Sequence, residues 1–322
     1  MKSTTKNKQD GQTINRMVMK FFPSEKMEDY VELTEGYFNV AYEVSLSSGR
    51  HVILKISPSP EMRVMTYEKN IMYSEVEAMK MAGKSGGIPV PEVLGYDGSC
   101  TVCGSPYFFM EKLDGKSLNV VKDMLPPDRL KEIKIEGGRI NKRINEISCP
   151  CFGYPEQAEF QGNEWYPVFE RMLKAGIRDA ENGNVDLKIP TDKLWELLKR
   201  DSDIFAEVTE PKLVHWDCWD GNIFVKDGRI TGIIDWERSI WGDPLMEVGF
   251  RTYSDTASFL EGYGMPALTE NQKRRALWYD IYLLILVSLE CEYRKYDTMD
   301  MYEWSTGLLK EQFERLRKED EV

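Results

Sequence analysis

Alternation of apolar and polar residues marks the first third of the chain as rich in β-strands. Residues 36–57 contain an alternating run, a Ser-Ser-Gly turn and the β-branched stretch HVILKI, which together predict a β-hairpin. Residues 88–113 show the same pattern, interrupted by Pro and Gly. Between the two, an N-cap at Ser59, Pro60 at the first helical position and Gly83 at the end predict one long helix. The first third is therefore predicted to be a sheet with a single helix.

The pattern changes after Asp114, where helical periodicity takes over. One β-rich stretch, residues 213–237, interrupts it, and residues 181–192 are the best candidate for a loop. The apolar run IYLLILVSL at 281–289 is too short to span a bilayer and predicts a buried helix. The predicted helices of this part cover residues 127–147, 164–181, 191–208, 270–293 and 301–318.

This layout predicts an α+β fold of two lobes. A small β-rich N-terminal lobe would comprise residues 1–113, with a hinge at about 110–115, and a larger, mainly helical C-terminal lobe would comprise residues 114–322. A cleft between two lobes is a common place for a small-molecule site.

Composition and charge narrow the classes of partner. The mixture of 42% hydrophobic and 30% charged residues is that of a soluble globular protein. A net charge of −12 argues against nucleic acid or an anionic membrane as the main partner and suits a cationic substrate. The first residues are polar and lack the apolar core of a signal peptide, so we expect a cytoplasmic protein. The sequence does not indicate an oligomeric state.

Four of the six cysteines form two close pairs. Cys100 with Cys103 and Cys149 with Cys151 would in principle supply four thiolates to zinc. The second pair lacks the CxxC spacing that structural zinc sites repeat. We therefore interpret these cysteines as reduced thiols in two turns.

The stretch HWDCWDGN, residues 215–222, carries the strongest chemical signal. Asp217 and Asn222 stand five residues apart, and Asp235 follows after a predicted hairpin that contains Gly. In phosphoryl transfer, one carboxylate accepts the proton of the attacking hydroxyl, while an amide oxygen and a second carboxylate hold Mg²⁺ against the nucleotide phosphates. Because the carboxylate already supplies a base, we interpret His215 as structural.

Lys55 adds a second half to this site. It lies between two apolar residues of a predicted strand, where its ammonium group needs an anion. If the strand alternates, Lys55 shares a face with Ile53 and points into the cleft. Glu68 and Glu75 lie beside the packed face of the predicted helix, whereas Glu77 is turned away, so either of the first two is a candidate partner. That packed face is marked by methionines at heptad spacing, Met65, Met72 and Met79.

With these residues in this order, the chain resembles the aminoglycoside phosphotransferase family. These are small-molecule kinases with the protein-kinase-like fold, related to choline kinases and macrolide phosphotransferases. The resemblance covers residues from about 30 to 250. It is carried by the motifs VHWDCWDGNIFV and GIIDWERSIWGDP, and by the family's PVP step at residues 89–91.

The resemblance implies a role for each matching position. Asp217 is the implied catalytic base, and Asn222 and Asp235 are the implied Mg²⁺ ligands. Lys55 would hold the α- and β-phosphates, with Glu75 as its implied ion-pair partner. Met110 would stand at the start of the hinge, and the backbone of Glu111 and Leu113 there would contact the nucleotide base. Gly36 would contact the phosphates from a phosphate-covering turn, residues 34–39.

The activity implied is Mg²⁺-dependent transfer of the γ-phosphate of ATP or GTP to a hydroxyl of a small substrate, such as an aminoglycoside or another antibiotic. A metabolite kinase of the choline or homoserine type is one alternative, and a catalytically silent nucleotide-binding protein is another. A protein kinase is disfavoured, because DWE replaces Asp-Phe-Gly and no Ala-Pro-Glu segment follows.

In the sequence Gly-Asp-Pro at residues 242–244, Asp243 and Pro244 predict an N-cap and first turn with a structural role. Candidate residues of the acceptor pocket, each also compatible with a solvated face or the core, are Asp179, Glu181, Asp255, Glu261, Trp165, Tyr166, Tyr253 and Tyr263.

Overall fold

The N-terminal lobe is built on one antiparallel sheet. The computed structural model describes residues 6–34, 36, 38–265 and 267–318. Five strands of this part pair in the spatial order first, second, third, fifth, fourth. The predicted hairpin is present as the second and third of them, with Lys55 opposite Ala41. The strands are Met27–Leu33 (β1), Val40–Leu46 (β2), His51–Ile56 (β3), Val93–Asp97 (β4) and Tyr107–Glu111 (β5).

A helix that the sequence analysis missed, Gly11–Phe21 (α1), covers one face of this sheet. Its buried residues Ile14, Met17 and Val18 pack with alternate residues of β2 and β3. The side chain of Asp10 caps the helix by accepting a hydrogen bond from a backbone N–H of its first turn. The apolar spacing i, i+3, i+4 and the cap were both visible in the sequence as signals of an amphipathic helix.

The second helix, Ile71–Ser85 (α2), is much shorter than predicted. The signals at Ser59 and Pro60 were misleading, because residues 58–70 form an irregular segment with one 3₁₀ turn, Thr66–Glu68. We call residues 58–70 the crossing segment, since its Met65 and Tyr67 are buried in the core of the C-terminal lobe. Packing across the lobes thus overrides the local helix signals. The three methionines at heptad spacing therefore do not share one face, because Met72 and Met79 pack beneath the N-terminal sheet and Met65 does not.

The C-terminal lobe is mainly helical, as predicted. Its apolar run at 281–289 is buried within one long helix. The predicted helix over 191–208 ends at Arg200 and continues as a 3₁₀ helix, Asp201–Glu207. The helices of this lobe are Leu118–Val121 (α3), Pro127–Asn145 (α4), Trp165–Gly183 (α5), Thr191–Arg200 (α6), Ala257–Tyr263 (α7), Glu270–Tyr293 (α8) and Asp300–Lys318 (α9).

Short strands of the C-terminal lobe flank the HWDCWDGN motif. Three of them form a small sheet, and the other two pair separately. Within the hairpin predicted between Asn222 and Asp235, Ile223 pairs with Ile233, so both motif residues lie at the same end. The strands are Lys116–Ser117 (β6), Lys212–Val214 (β7), Ile223–Lys226 (β8), Arg229–Ile233 (β9) and Ile240–Gly242 (β10).

Two general features complete the fold. Among the described residues, no helix has both the length and the apolar character needed to cross a membrane. All six cysteines are free thiols. The one group of three or more potential metal ligands found in the described part of the chain contains no cysteine, so the two cysteine pairs do not come together there.

Candidate active site

The start of the HWDCWDGN loop is fixed by hydrogen bonds to a buried carboxylate, Glu247. It accepts hydrogen bonds from the backbone N–H groups of His215, at 2.8 Å, and Trp216, at 3.0 Å. Trp216 itself is in the left-handed region, with φ of 63°, so the chain turns sharply here. Sequence reasoning missed Glu247, because nothing local shows that it reaches back by more than thirty residues.

His215 is a structural residue, as we interpreted it. It is completely buried, and its Nε2 lies 3.1 Å from the carbonyl oxygen of Ile234, next to Asp235. Burial lowers its pKa to about 4, so the ring is neutral at physiological pH. His215 therefore connects the loop to the strand end that carries Asp235.

Asp217 has a fixed orientation and a raised pKa. The side-chain amide of Asn222 donates to the backbone carbonyl of Asp217, at 2.8 Å, and to its Oδ2, at 3.1 Å. Burial raises the pKa of Asp217 to about 6, although the nearby guanidinium groups of Arg238 and Arg251 act in the opposite direction. A carboxylate with this pKa is ionised at neutral pH and well suited to accept a proton.

Lys55 is the centre of a cluster of three carboxylates. Its Nζ lies 2.7 Å from Glu75 Oε1, 2.6 Å from Asp235 Oδ1 and 3.6 Å from Glu237 Oε2. Burial alone would lower the pKa of Lys55, but the three carboxylates outweigh it and raise the pKa well above its usual value. The alternative partner, Glu68, is instead paired with Arg294, at 2.8 Å.

Asn222 and Asp235 offer oxygen atoms that suit a hard cation such as Mg²⁺. The amide nitrogen of Asn222 is used by Asp217, which leaves its carbonyl oxygen without a hydrogen-bond partner in the described part of the chain. Asp235 follows β9 with φ of 63°, a left-handed turn that sets its carboxylate at the strand end. Glu75, Asp235 and Glu237 also present oxygens within 4.8 Å of one another, but the Lys55 ammonium already bonds to this group.

Two further predicted nucleotide contacts lie in the hinge and in the phosphate-covering turn. The N–H of Glu111 donates to Glu92, whereas the N–H of Leu113 has no backbone partner within the described ranges. Gly36 is exposed, and a Cβ there would have room, with its nearest neighbour at 3.7 Å. Two other positions of the predicted turn, 35 and 37, lie outside the described residues.

Two donors beside Asp217 were not assigned to its surroundings by the sequence. The Nε of Arg251 and the hydroxyl of Tyr253 are both buried and have no hydrogen-bond partner in the described part of the chain. Arg251 is close enough to Asp217 for its charge to lower the pKa of that carboxyl. The Tyr253 ring lies edge-on to the half-exposed Trp304, with 6.5 Å between the ring centroids.

Most of the predicted pocket acids and aromatics have structural partners. Asp179 accepts hydrogen bonds from the backbone and side chain of Thr66, at 2.7 and 2.9 Å. Glu261 pairs with Lys131, although it lines a groove of about 530 Å³ together with Asp255. Trp165 and Tyr263 are core residues, and Asp243 caps a 3₁₀ turn and pairs with Arg275, as its structural interpretation requires.

The fold and this site define a two-lobed, kinase-like protein. A model of the phosphotransferase enzyme family matches residues 29–277, which is more than half of the chain. The chain therefore belongs to the phosphotransferase enzyme family, and both the predicted family and the predicted fold class are confirmed.

Similar proteins cover different shares of the chain. A subtelomeric hrmA-associated cluster protein of Aspergillus fumigatus is 31% identical over 126 residues, which are 39% of this chain but only 24% of that protein. The chain thus matches about a quarter of the length of this relative. An aminoglycoside 3'-phosphotransferase of Enterococcus faecalis is 26% identical over 226 residues, or 68% of this chain and 77% of that enzyme.

A solved structure shows the same fold over the whole length. A thermostable mutant of aminoglycoside phosphotransferase APH(4)-Ia, in ternary complex with AMP-PNP and hygromycin B, aligns with a TM-score of 0.64 at 17% identity. The alignment covers 95% of this chain and 98% of that one.

Proposed function

We propose that the protein is a small-molecule kinase that transfers the γ-phosphate of ATP or GTP to a hydroxyl group. The observation that carries this proposal is the cluster of Asp217, Asn222, Asp235, Lys55 and Glu75 at the cleft. Family membership and the nucleotide analogue bound to APH(4)-Ia support it.

Asp217 would act as the catalytic base. Its carboxylate would accept the proton of the acceptor hydroxyl as the oxygen attacks the γ-phosphorus and the bond to the β-phosphate oxygen breaks. The amide of Asn222 holds this carboxylate in one orientation, so part of the cost of aligning the reactants is met before they bind. Loss of a positioned base lowers the rate by about 10²- to 10⁴-fold.

Lys55 would bind the α- and β-phosphates, and Glu75 would orient it. The pair is already formed, with both oxygens of Glu75 within 2.9 Å of Nζ. Asn222 and Asp235 would hold Mg²⁺, which neutralises charge on the phosphates when it is bound. Asp235 bonds to Lys55 through Oδ1, so it would share or exchange this partner when the nucleotide is loaded.

In the hinge, the carbonyl oxygen of Glu111 and the N–H of Leu113 would meet the nucleotide base. This agrees with the backbone bonding there, since the Leu113 N–H has no backbone partner in the described part of the chain. Gly36 would lie over the phosphates.

The acceptor would enter on the side of Arg251 and Tyr253, whose unpaired donors suit oxygen atoms next to the reacting hydroxyl. Similarity to aminoglycoside phosphotransferases makes an aminoglycoside or another antibiotic the first class to test. A screen that measures ADP and GDP release should therefore include aminoglycosides, macrolides, choline, homoserine and sugars.

The decisive variant is Asp217→Asn. We expect it to lose about 10²- to 10⁴-fold in kcat with the best acceptor of the screen, while nucleotide binding measured by calorimetry is nearly unchanged. Asp220→Asn is the matched control, because Asp220 belongs to the same loop but pairs with Lys122. Full turnover by Asp217→Asn would exclude the assigned base.

A further inference from the structure

The chain just before β2 is attached to the C-terminal lobe by two consecutive residues. Phe38 is buried in the core of that lobe, with the guanidinium carbon of Arg294 at 4.9 Å from its ring centroid. Asn39 is buried as well, and its Nδ2 donates a hydrogen bond of 2.8 Å to Glu237 Oε2. The amide oxygen of Asn39 has no partner within the described ranges, so this one bond fixes the orientation of the amide.

The same oxygen of Glu237 is also close to a second group of the N-terminal lobe. Oε2 lies 3.6 Å from Lys55 Nζ as well as 2.8 Å from Asn39 Nδ2. One carboxylate oxygen therefore faces both the end of the phosphate-covering turn and the lysine assigned to the phosphates.

Glu237 stands on a rigid support. It lies two residues after Asp235, and the Trp236 side chain between them is completely buried, with its Nε1 donating to Ile233 O at 2.9 Å. The position of Glu237 is thus tied to the strand end that carries Asp235.

We propose that Asn39 and Glu237 form a clasp between the lobes that positions Lys55 and the last residues of the phosphate-covering turn, Phe38 and Asn39, for binding of the nucleotide phosphates. The inference rests on the proposed function, because it takes Lys55 and this turn as nucleotide-binding groups. Both residues are positioning residues, since they act through the turn and through Lys55.

The clasp has its largest effect once Asp235 turns to another partner. Lys55 then loses its shortest contact, of 2.6 Å, and retains Glu75 and Glu237. Glu75 holds it from α2 in the N-terminal lobe, whereas Glu237 holds it from the C-terminal lobe. The clasp thereby keeps the two lobes in register around the phosphates.

A double-mutant cycle on nucleotide binding tests the clasp. We expect Asn39→Ala and Glu237→Gln each to weaken binding of Mg²⁺ with ATP or GTP, measured by calorimetry, by about tenfold. The double variant should be no weaker than the worse single variant. Asn15→Ala is the control, because this amide lies on α1 in the same lobe and, among the described residues, bonds only to Met19.

An exchange of the two groups gives a sharper measurement. Asn39→Asp alone places two carboxylates together, and we expect it to bind nucleotide least well. Combined with Glu237→Gln it restores a donor and an acceptor, so we expect affinity to recover to within about threefold of the wild type. In steady-state kinetics, the KM for nucleotide should rise in the single variants while the KM for the acceptor stays unchanged.

Three results would overturn the clasp. These are additive losses in the cycle, no recovery in the exchanged pair, or Glu237 variants that change only the Mg²⁺ dependence while Asn39 variants have no effect. Circular dichroism identifies any variant that fails to fold, and the exchanged pair then decides. Because the readout is nucleotide binding, the result is separate from Asp217→Asn, which tests phosphate transfer.

Discussion

One ammonium group at the centre of the cleft is shared by three carboxylates, and this has a consequence for their protonation. Burial raises the pKa of Glu75 to about 7 and that of Glu237 to about 8, whereas Lys55 keeps the pKa of Asp235 below its usual value. Of the three carboxylates, Asp235 is therefore the one that stays ionised to the lowest pH. An ionised Asp235 is the form that binds a cation.

The raised pKa of Asp217 predicts the acid limb of the pH profile. The base has to be ionised, and burial places its pKa at about 6, so kcat/KM should fall by about tenfold per pH unit below pH 6. The measurement is a pH–rate profile with the best acceptor, at saturating nucleotide. Circular dichroism at each pH separates this loss from unfolding. A flat profile down to pH 4.5 would contradict the role of Asp217.

Short motifs made the inner part of the site predictable. Asp217 and Asn222 stand out by their spacing, because they are close both in sequence and in space, and Lys55 stands out by its improbable apolar setting. Glu237 was not singled out, since its partner Asn39 lies in the other lobe. Contacts that depend on how the lobes meet leave no local pattern.

At the scale of elements, α4 and α7 approach so closely that glycine is required at their contact. A Cβ on Gly138 would overlap the carbonyl oxygen of Phe259, whereas a Cβ on Gly137 would meet only the end of Ile230, at 3.9 Å. These neighbours in one helix therefore form a matched pair of test positions.

We expect Gly138→Ala to lower the free energy of unfolding by about 1–3 kcal/mol, because the opposing backbone cannot move aside without cost. Gly137→Ala should instead be neutral or stabilising by up to about 1 kcal/mol, since alanine favours the helix. Urea unfolding followed by circular dichroism measures both. Equal effects of the two substitutions would argue against the close approach.

The errors of prediction for the elements have a common cause. The helix predicted from Ser59 begins at Ile71 instead, because Met65 and Tyr67 are buried in the core of the other lobe, and their burial there favours the crossing path. Four helices of the C-terminal lobe, α4, α5, α8 and α9, lie within two residues of their predicted bounds, since their apolar faces pack within that lobe, whereas α3 and α7 were missed. Where the observed elements differ from the predicted ones, tertiary contacts between distant parts of the chain are the cause.

For the whole molecule, a buried ion pair fastens the crossing segment to the end of α8. Arg294 bonds to Glu68 at 2.8 Å, with both side chains at most 6% exposed, and also donates to the hydroxyl of Tyr67. Removal of one partner leaves a buried charge without compensation.

We therefore expect Arg294→Met to lower the free energy of unfolding by about 3–5 kcal/mol. Lys310→Met removes an exposed cation from α9 and should change it by less than about 0.5 kcal/mol. Urea unfolding monitored by tryptophan fluorescence is suitable, and a loss in Arg294→Met no larger than in Lys310→Met would show that the pair contributes little to joining the lobes.

The crossing segment also bears on how such an enzyme is switched on. In protein kinases, the helix that carries the glutamate partner of the lysine is moved in and out of place by phosphorylation of an activation loop. Here the chain that leads into α2 is anchored by Thr66 to Asp179 and by Glu68 to Arg294, and the Lys55–Glu75 pair is complete. A helix tethered in this way is held where Glu75 pairs with Lys55, so the proposed kinase would not need a phosphorylation step to bring this glutamate into place.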